Sequence, residues 1–138
     1  MKIRNMKLIA LSVGALLFGQ TVCASQSVLD GVWKLESMIS IDKDGNIKPW
    51  CEGAFGVIIY TDGYMSTAVN CTTDPSKIVL YSGPFRLENQ TVYHDAQNFS
   101  QASLNKTHVR NFFMPDENHL ELRGDLGDGK VLVKWARR

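Results

Sequence analysis

Seventeen residues, FGVIIYTDGYMSTAVNC from Phe55 to Cys71, decide what kind of protein this is. Two runs rich in β-branched and aromatic residues, 55–61 and 64–71, flank Asp62-Gly63, a dipeptide that accepts positive φ and so closes a tight two-residue hairpin. Both faces of the hairpin are apolar, with Phe55, Val57 and Ile59 on one and Ile58, Tyr60, Met65 and Val69 on the other. Alternation alone therefore leaves open which face turns inward.

The same short-strand pattern continues in both directions. Upstream, Trp33, Leu35, Ile39 and Ile41 oppose Lys34, Glu36 and Ser40, and the run stops at the turn-rich cluster Asp42-Lys43-Asp44-Gly45-Asn46. Downstream, 85–88 and 91–96 flank Asn89-Gln90. A two-residue loop there sets Phe85 opposite His94 and Leu87 opposite Val92, with Ala96 on the same inward face. Runs 107–114 and 119–124 flank Pro115-Asp116-Glu117-Asn118, and 131–135 follows Asp128-Gly129. Seven or eight strands joined mostly by short loops, with no amphipathic helix of three turns, predict an all-β fold. Consecutive hairpins favour an up-and-down antiparallel β-barrel of about eight strands, because closure removes the exposed edges of such a sheet.

Residues 1–24 have the layout of a secretory signal peptide: Lys2, Arg4 and Lys7, then the apolar run Leu8 to Phe18, then a polar stretch ending Val22-Cys23-Ala24. Cleavage after Ala24 leaves residues 25–138 as one domain. The apolar run is too short to span a bilayer, so no stable membrane insertion is expected after cleavage. The composition, 44% hydrophobic and 21% charged with eleven glycines and four prolines, is that of a globular domain. Without Lys2, Arg4 and Lys7, twelve basic residues face fourteen acidic ones, a balance of −2 that gives no footprint for nucleic acid. Export predicts a periplasmic or secreted location, and the two cysteines left there, Cys51 and Cys71, suit a disulfide, two free thiols being the alternative. The hairpin register pairs position 54 with 71, so the bridge requires the chain to bend around Gly53.

Several motifs then fall in order. Gly31-Val32-Trp33 resembles the Gly-x-Trp signature of lipocalins, and Trp135-Ala136-Arg137 resembles the closing Trp-x-Arg of bacterial lipocalin-like domains. Between them, Tyr60 to Ser66, Tyr81 to Phe85, Val92-Tyr93-His94, Arg110-Asn111-Phe112 and Leu120-Glu121-Leu122 stand in that family's order and at about its spacing. The resemblance runs from about Leu29 to Arg137. It implies a barrel closed at one end, with a cavity for small apolar molecules, and it implies a fold more firmly than an activity. Two features depart from it: the connection 72–77 is short, and the Cys51/Cys71 pair lies outside the pattern.

The candidate ligand-binding residues are His94, Arg110, Phe85, Tyr60, Tyr64 and Phe112. His94, beside Phe85 and Val92, reads either as a hydrogen-bonded core histidine or as a polar handle in a cavity. Arg110 turns outward, opposite Arg123, if residues 115–118 form a four-residue loop. In the other register it shares an inner face with Phe112 and Met114, and repulsion between opposed arginines favours that one. Tyr60 and Tyr64 read as the cavity mouth or simply as core. Trp33 and Arg137 suit a cation–π contact at the closed end, with Gly31 and Trp135 completing the structural motif. No catalytic constellation and no metal site are expected: His94, His108 and His119 lie on separate segments, and Asp125 to Gly129 reads as a hairpin turn, not a calcium loop. No cofactor is implied. The favoured function is an exported protein that binds a small apolar or amphipathic molecule in its barrel. The alternatives are an isomerase or cyclase using His94 as acid or base, and a periplasmic interaction or inhibitor protein with a solid core.

Overall fold

The computed structural model describes residues 26–138, so the signal-peptide expectation lies outside the described residues. Ten strands and one 3-10 turn follow in order: β1 (Gly31–Ile41), β2 (Ile47–Pro49), β3 (Ala54–Thr61), β4 (Tyr64–Cys71), β5 (Ile78–Glu88), β6 (Thr91–Asp95), β7 (Asn98–Phe99), the turn Ala102–Leu104, β8 (Thr107–Asp116), β9 (His119–Leu126) and β10 (Gly129–Arg137). Eight of them, all but β2 and β7, form a meander in which every neighbour is antiparallel, and β1 pairs β10 to close the barrel. The short strands are appendages: β2 pairs the far half of β1, and β7 pairs β5.

The hairpin that opened the sequence reading forms as its turn residues require. Asp62 (φ 49°) and Gly63 (φ 76°) both take positive φ, and Ala54 pairs Cys71. Ile58, Tyr60, Met65 and Val69 point inward, leaving Phe55 and Ile59 on the outer surface. Gly53, with φ 75°, bends the chain so that Cys51 reaches Cys71 and the disulfide forms across a Cα separation of 5.9 Å. β1 departs from simple alternation. Its register against β10 slips between Leu35 and Ser37, and this bulge carries Met38 into the core where unbroken alternation would have placed Ile39 and Ile41. The sequence pattern also concealed the first half of β5. Gly83-Pro84 resembles a turn, yet the strand runs through it, Met65 pairing with Gly83 and Tyr64 with Pro84.

One end of the barrel is sealed by the residues of the two flanking motifs. Trp33 is completely buried, pairs across the sheet with Arg137, and donates its indole N–H to the Leu29 carbonyl at 2.8 Å. The Arg137 guanidinium lies 4.1 Å from the Trp33 ring centre. It donates to the carbonyls of Asp30 and Glu117, each at 2.8 Å. Glycine at 31 is a steric necessity: its φ is 136°, and a Cβ there would sit 2.6 Å from Nη1 of Arg137. The turns 62–63, 89–90 and 117–118 share this end. The disulfide, the 3-10 turn and the β9–β10 turn lie at the other.

Candidate functional site

Toward that other end the barrel is hollow. A cavity of about 300 Å³ has walls of Met38, Ile58, Val69, Val79, Leu122 and Val133, together with Val131 and Trp135. Polar groups enter it from Thr67, Tyr81, His94, His108 and Arg110, with Ser103, Lys106 and Asp125 toward the loops.

Strand register explains how the polar groups meet. Phe85 pairs His94 as the Asn89-Gln90 loop demands, and on the next strand His94 pairs His108. His108, Arg110 and Phe112 alternate on the inner face of β8. Arg110 opposes Gly124 and Phe112 opposes Leu122. The inward register of Arg110 is reached because β8 runs on to Asp116, and a register slip between Phe113 and Asp116 absorbs the residue that a four-residue loop would have used. Gly124 supplies the room: a Cβ there would lie 2.5 Å from Nη1 of Arg110.

His94 is clamped by two tyrosines. The Tyr60 hydroxyl lies 2.8 Å from Nε2 and the Tyr81 hydroxyl 3.1 Å from Nδ1. Burial drives the imidazole pKa down to about 3, with Arg110 and His108 adding to the effect, so the ring is neutral across the physiological range. A neutral imidazole has one N–H and one lone pair, so one tyrosine donates to it and the other accepts from it. Tyr60 is 1% exposed and has no other hydrogen-bond partner among the described residues. Its hydroxyl proton is satisfied only by donation to Nε2, since a buried donor left without an acceptor costs about 1–3 kcal/mol. Nδ1–H then donates to Tyr81, whose own O–H proton is left over on a side chain that lines the cavity. Both phenols keep their protons: burial raises Tyr60 well above its ordinary value and pushes Tyr81 up to about 12. The Tyr81 ring stacks on His108 with centroids 4.3 Å apart, and His108 donates Nε2–H to the Leu104 carbonyl at 3.0 Å.

Arg110 is differently placed. It donates from Nη1 to its neighbour's carbonyl, Val109 O, at 3.0 Å, and among the described residues no carboxylate lies within 4 Å of its guanidinium. Asp125, the acid nearest the cavity, is held by Lys130, which keeps its carboxyl below the usual range. Among the described residues no cluster of three His, Cys, Asp or Glu side chains is arranged to hold a metal.

Of the six residues expected to touch a ligand, His94 and Arg110 line the cavity. Tyr60 and Phe85 do not: they pack edge to face with centroids 4.9 Å apart, behind His94. Tyr60 is too close to the 62–63 turn at the sealed end, and Phe85 donates its backbone N–H to Gly63 there. Phe112 is on the inner face but packs against the core beyond the cavity. Tyr64 is corrected outright. Met65 beside it is buried, so alternation turns Tyr64 to the outer surface, 39% exposed, where its hydroxyl accepts from Asn98 at 3.3 Å. Sequence reasoning missed Tyr81 and His108. Tyr81 shares the parity of Phe85 on one strand, and His108 that of Arg110 on another; extending either strand would have found them.

The lipocalin-like domain family matches residues 30–75 of the sequence. Among solved structures, a lipocalin-like protein from Bacteroides uniformis superposes with a TM-score of 0.52 at 10% identity, over 81% of this chain and all of that one. The chain has a lipocalin-like fold. Two redesigned β-barrels are also similar. One has a TM-score of 0.49 at 16% identity, over 85% of this chain and 96% of that one. The other, mFAP1 bound to DFHBI, has a TM-score of 0.47 at 15% identity, over 80% and 95%. Among curated proteins none matches the sequence. In lipocalin-like terms, the Gly31-x-Trp33 strand and Arg137 form the sealed end, and the cavity occupies the other half of the barrel.

Proposed function

We propose that this lipocalin-like protein is exported and binds a small apolar or amphipathic molecule in the cavity bounded by Tyr81, His94 and Arg110. The observation that carries the proposal is the hollow itself. A volume of about 300 Å³ is at the lower limit of ligand pockets, walled by aliphatic side chains with a few convergent polar groups. A barrel used only as a scaffold for its loops has no need of such a space. The acid–base alternative fits poorly. A catalyst of that kind works best with a pKa near the operating pH, whereas His94 stays neutral down to about pH 3 and has both nitrogens engaged.

The Cys51–Cys71 disulfide supports an oxidising compartment, and no helix among the described residues is long and apolar enough to cross a membrane. Amino-terminal sequencing of the exported protein is expected to begin at Ser25; retention of Met1 overturns the export reading. For the cavity, native mass spectrometry of protein isolated without solvent extraction is expected to show a small bound mass. Val133→Phe, which projects into the void, is expected to lose that mass while unfolding cooperatively. A bound mass that survives this substitution places the ligand elsewhere.

A further inference from the structure

We infer that the ligand has an anionic head, a carboxylate, on a short apolar body, and that the Arg110 guanidinium and the Tyr81 hydroxyl take the head together. The inference deepens the cavity reading and rests on it. Arg110 faces inward over Gly124, lines the hollow, and among the described residues meets one backbone carbonyl and no carboxylate. A guanidinium has five donors in a planar fork whose geometry matches a carboxylate in two parallel bonds. A half-buried cation in an apolar-walled site is stabilised by such a partner; among the described residues no acid is within 4 Å of it, and Asp125, which feels Arg110 at longer range, is paired with Lys130.

The proton count on the tyrosine pair gives a second donor. With Tyr60 donating to Nε2 and Nδ1–H donating to Tyr81, the Tyr81 hydroxyl has a proton to offer and belongs to the cavity wall. His94 lines the cavity but offers the head no hydrogen bond. With both nitrogens occupied, it is a positioning residue that orients Tyr81. The rest of the wall is mostly aliphatic, with Trp135, Thr67 and His108 among it and Ser103, Lys106 and Asp125 toward the loops, and about 300 Å³ corresponds to a body on the order of ten non-hydrogen atoms at ~30 Å³ each, taking liquid water as the scale.

Calorimetric titration of the whole protein at neutral pH with octanoate, 1-octanol and octylammonium tests this. Octanoate is expected to bind at least about tenfold more tightly than octanol, the scale of a charge-assisted contact. Arg110→Gln is expected to erase that preference by lowering octanoate affinity at least about tenfold more than octanol affinity, with Arg110→Lys restoring part of it. Tyr81→Phe is expected to weaken octanoate several-fold, and in that background His94→Phe is expected to cost nothing further. A purely structural role for His94 predicts an additional loss. Equal binding of octanoate and octanol, a preference for octylammonium, or undiminished octanoate affinity in Arg110→Gln overturns the anionic head and leaves the cavity reading standing. Binding of none of the three probes, together with no retained mass, removes the cavity reading and this inference with it.

Discussion

Arg137 and Arg110 are built alike and used differently. Each guanidinium lies over a glycine, Gly31 or Gly124, whose missing side chain makes the space it occupies. At the sealed end, Arg137 donates to carbonyls of Asp30 and Glu117 and covers the Trp33 ring. Those contacts join the segment before β1, the β8–β9 turn and β10, so the charge is spent on holding the barrel shut. At the hollow end, Arg110 makes one bond, to the carbonyl of the residue before it, which joins nothing. A saturated arginine stabilises a fold; one that faces a cavity with donors in hand is a feature of a site.

If the sealed end carries the stability, it is where damage is greatest. Trp33→Ala deletes a fully buried indole along with the surface on which Arg137 stacks, and is expected to cost about 3–5 kcal/mol in urea unfolding. A loss below about 1 kcal/mol would mean that the sealed end is not the structural one. At the hollow end the disulfide takes the place of packing. Reducing Cys51–Cys71, which closes a loop of twenty residues, is expected to cost about 3 kcal/mol. The same reductant is expected to leave a Cys51→Ser/Cys71→Ser double variant unaffected.

Between the two ends lies His94, and its contribution depends on pH. The imidazole is depressed from 6.5 to about 3 in the folded state, so the unfolded chain binds more protons between those values and stability falls as pH falls. By pH 5 the loss relative to pH 7 is expected to be about 2 kcal/mol from this group. Above pH 7 the group has no further effect. Urea unfolding at pH 7 and pH 5 of the wild type and His94→Gln measures it: the variant lacks this share of the slope. A variant slope equal to the wild type's assigns the acid sensitivity elsewhere.

How far the sequence foretold these regions follows from what governs each. Hairpins set by local turn chemistry were legible: Asp62-Gly63 fixed the register of β3 on β4, and Asn89-Gln90 placed His94 opposite Phe85. Gly31, Trp33 and Arg137 announced the sealed end because several steric demands meet at single residues there. The hollow was harder. Its residues depend on register slips, at Leu35/Ser37 in β1 and Phe113/Asp116 in β8, which nothing in the period-2 pattern marks. Tyr81 was hidden because Gly83-Pro84 resembles a turn, when it lies in the middle of a strand. That Tyr60 would serve as a clamp behind the cavity, not as its lining, follows from which end of the barrel is sealed, a property of the whole closed sheet.

The smallest expected effect discriminates best between the two arginines. Arg110→Gln removes a charge whose single hydrogen bond stays within its own strand, and it relieves the like-signed field that helps depress His94 and His108. The stability of the ligand-free protein is therefore expected to stay within ~0.5 kcal/mol of wild type, the range of substitutions that break no structural contact. Sites that meet a ligand are commonly kept at no benefit to the empty fold, so a change that is silent in urea unfolding yet alters ligand affinity is the signature to look for. A stability loss of 2 kcal/mol or more would instead put Arg110 in the same class as Arg137, as a brace between strands, and the contrast between the two ends of the barrel would have to rest on the cavity alone.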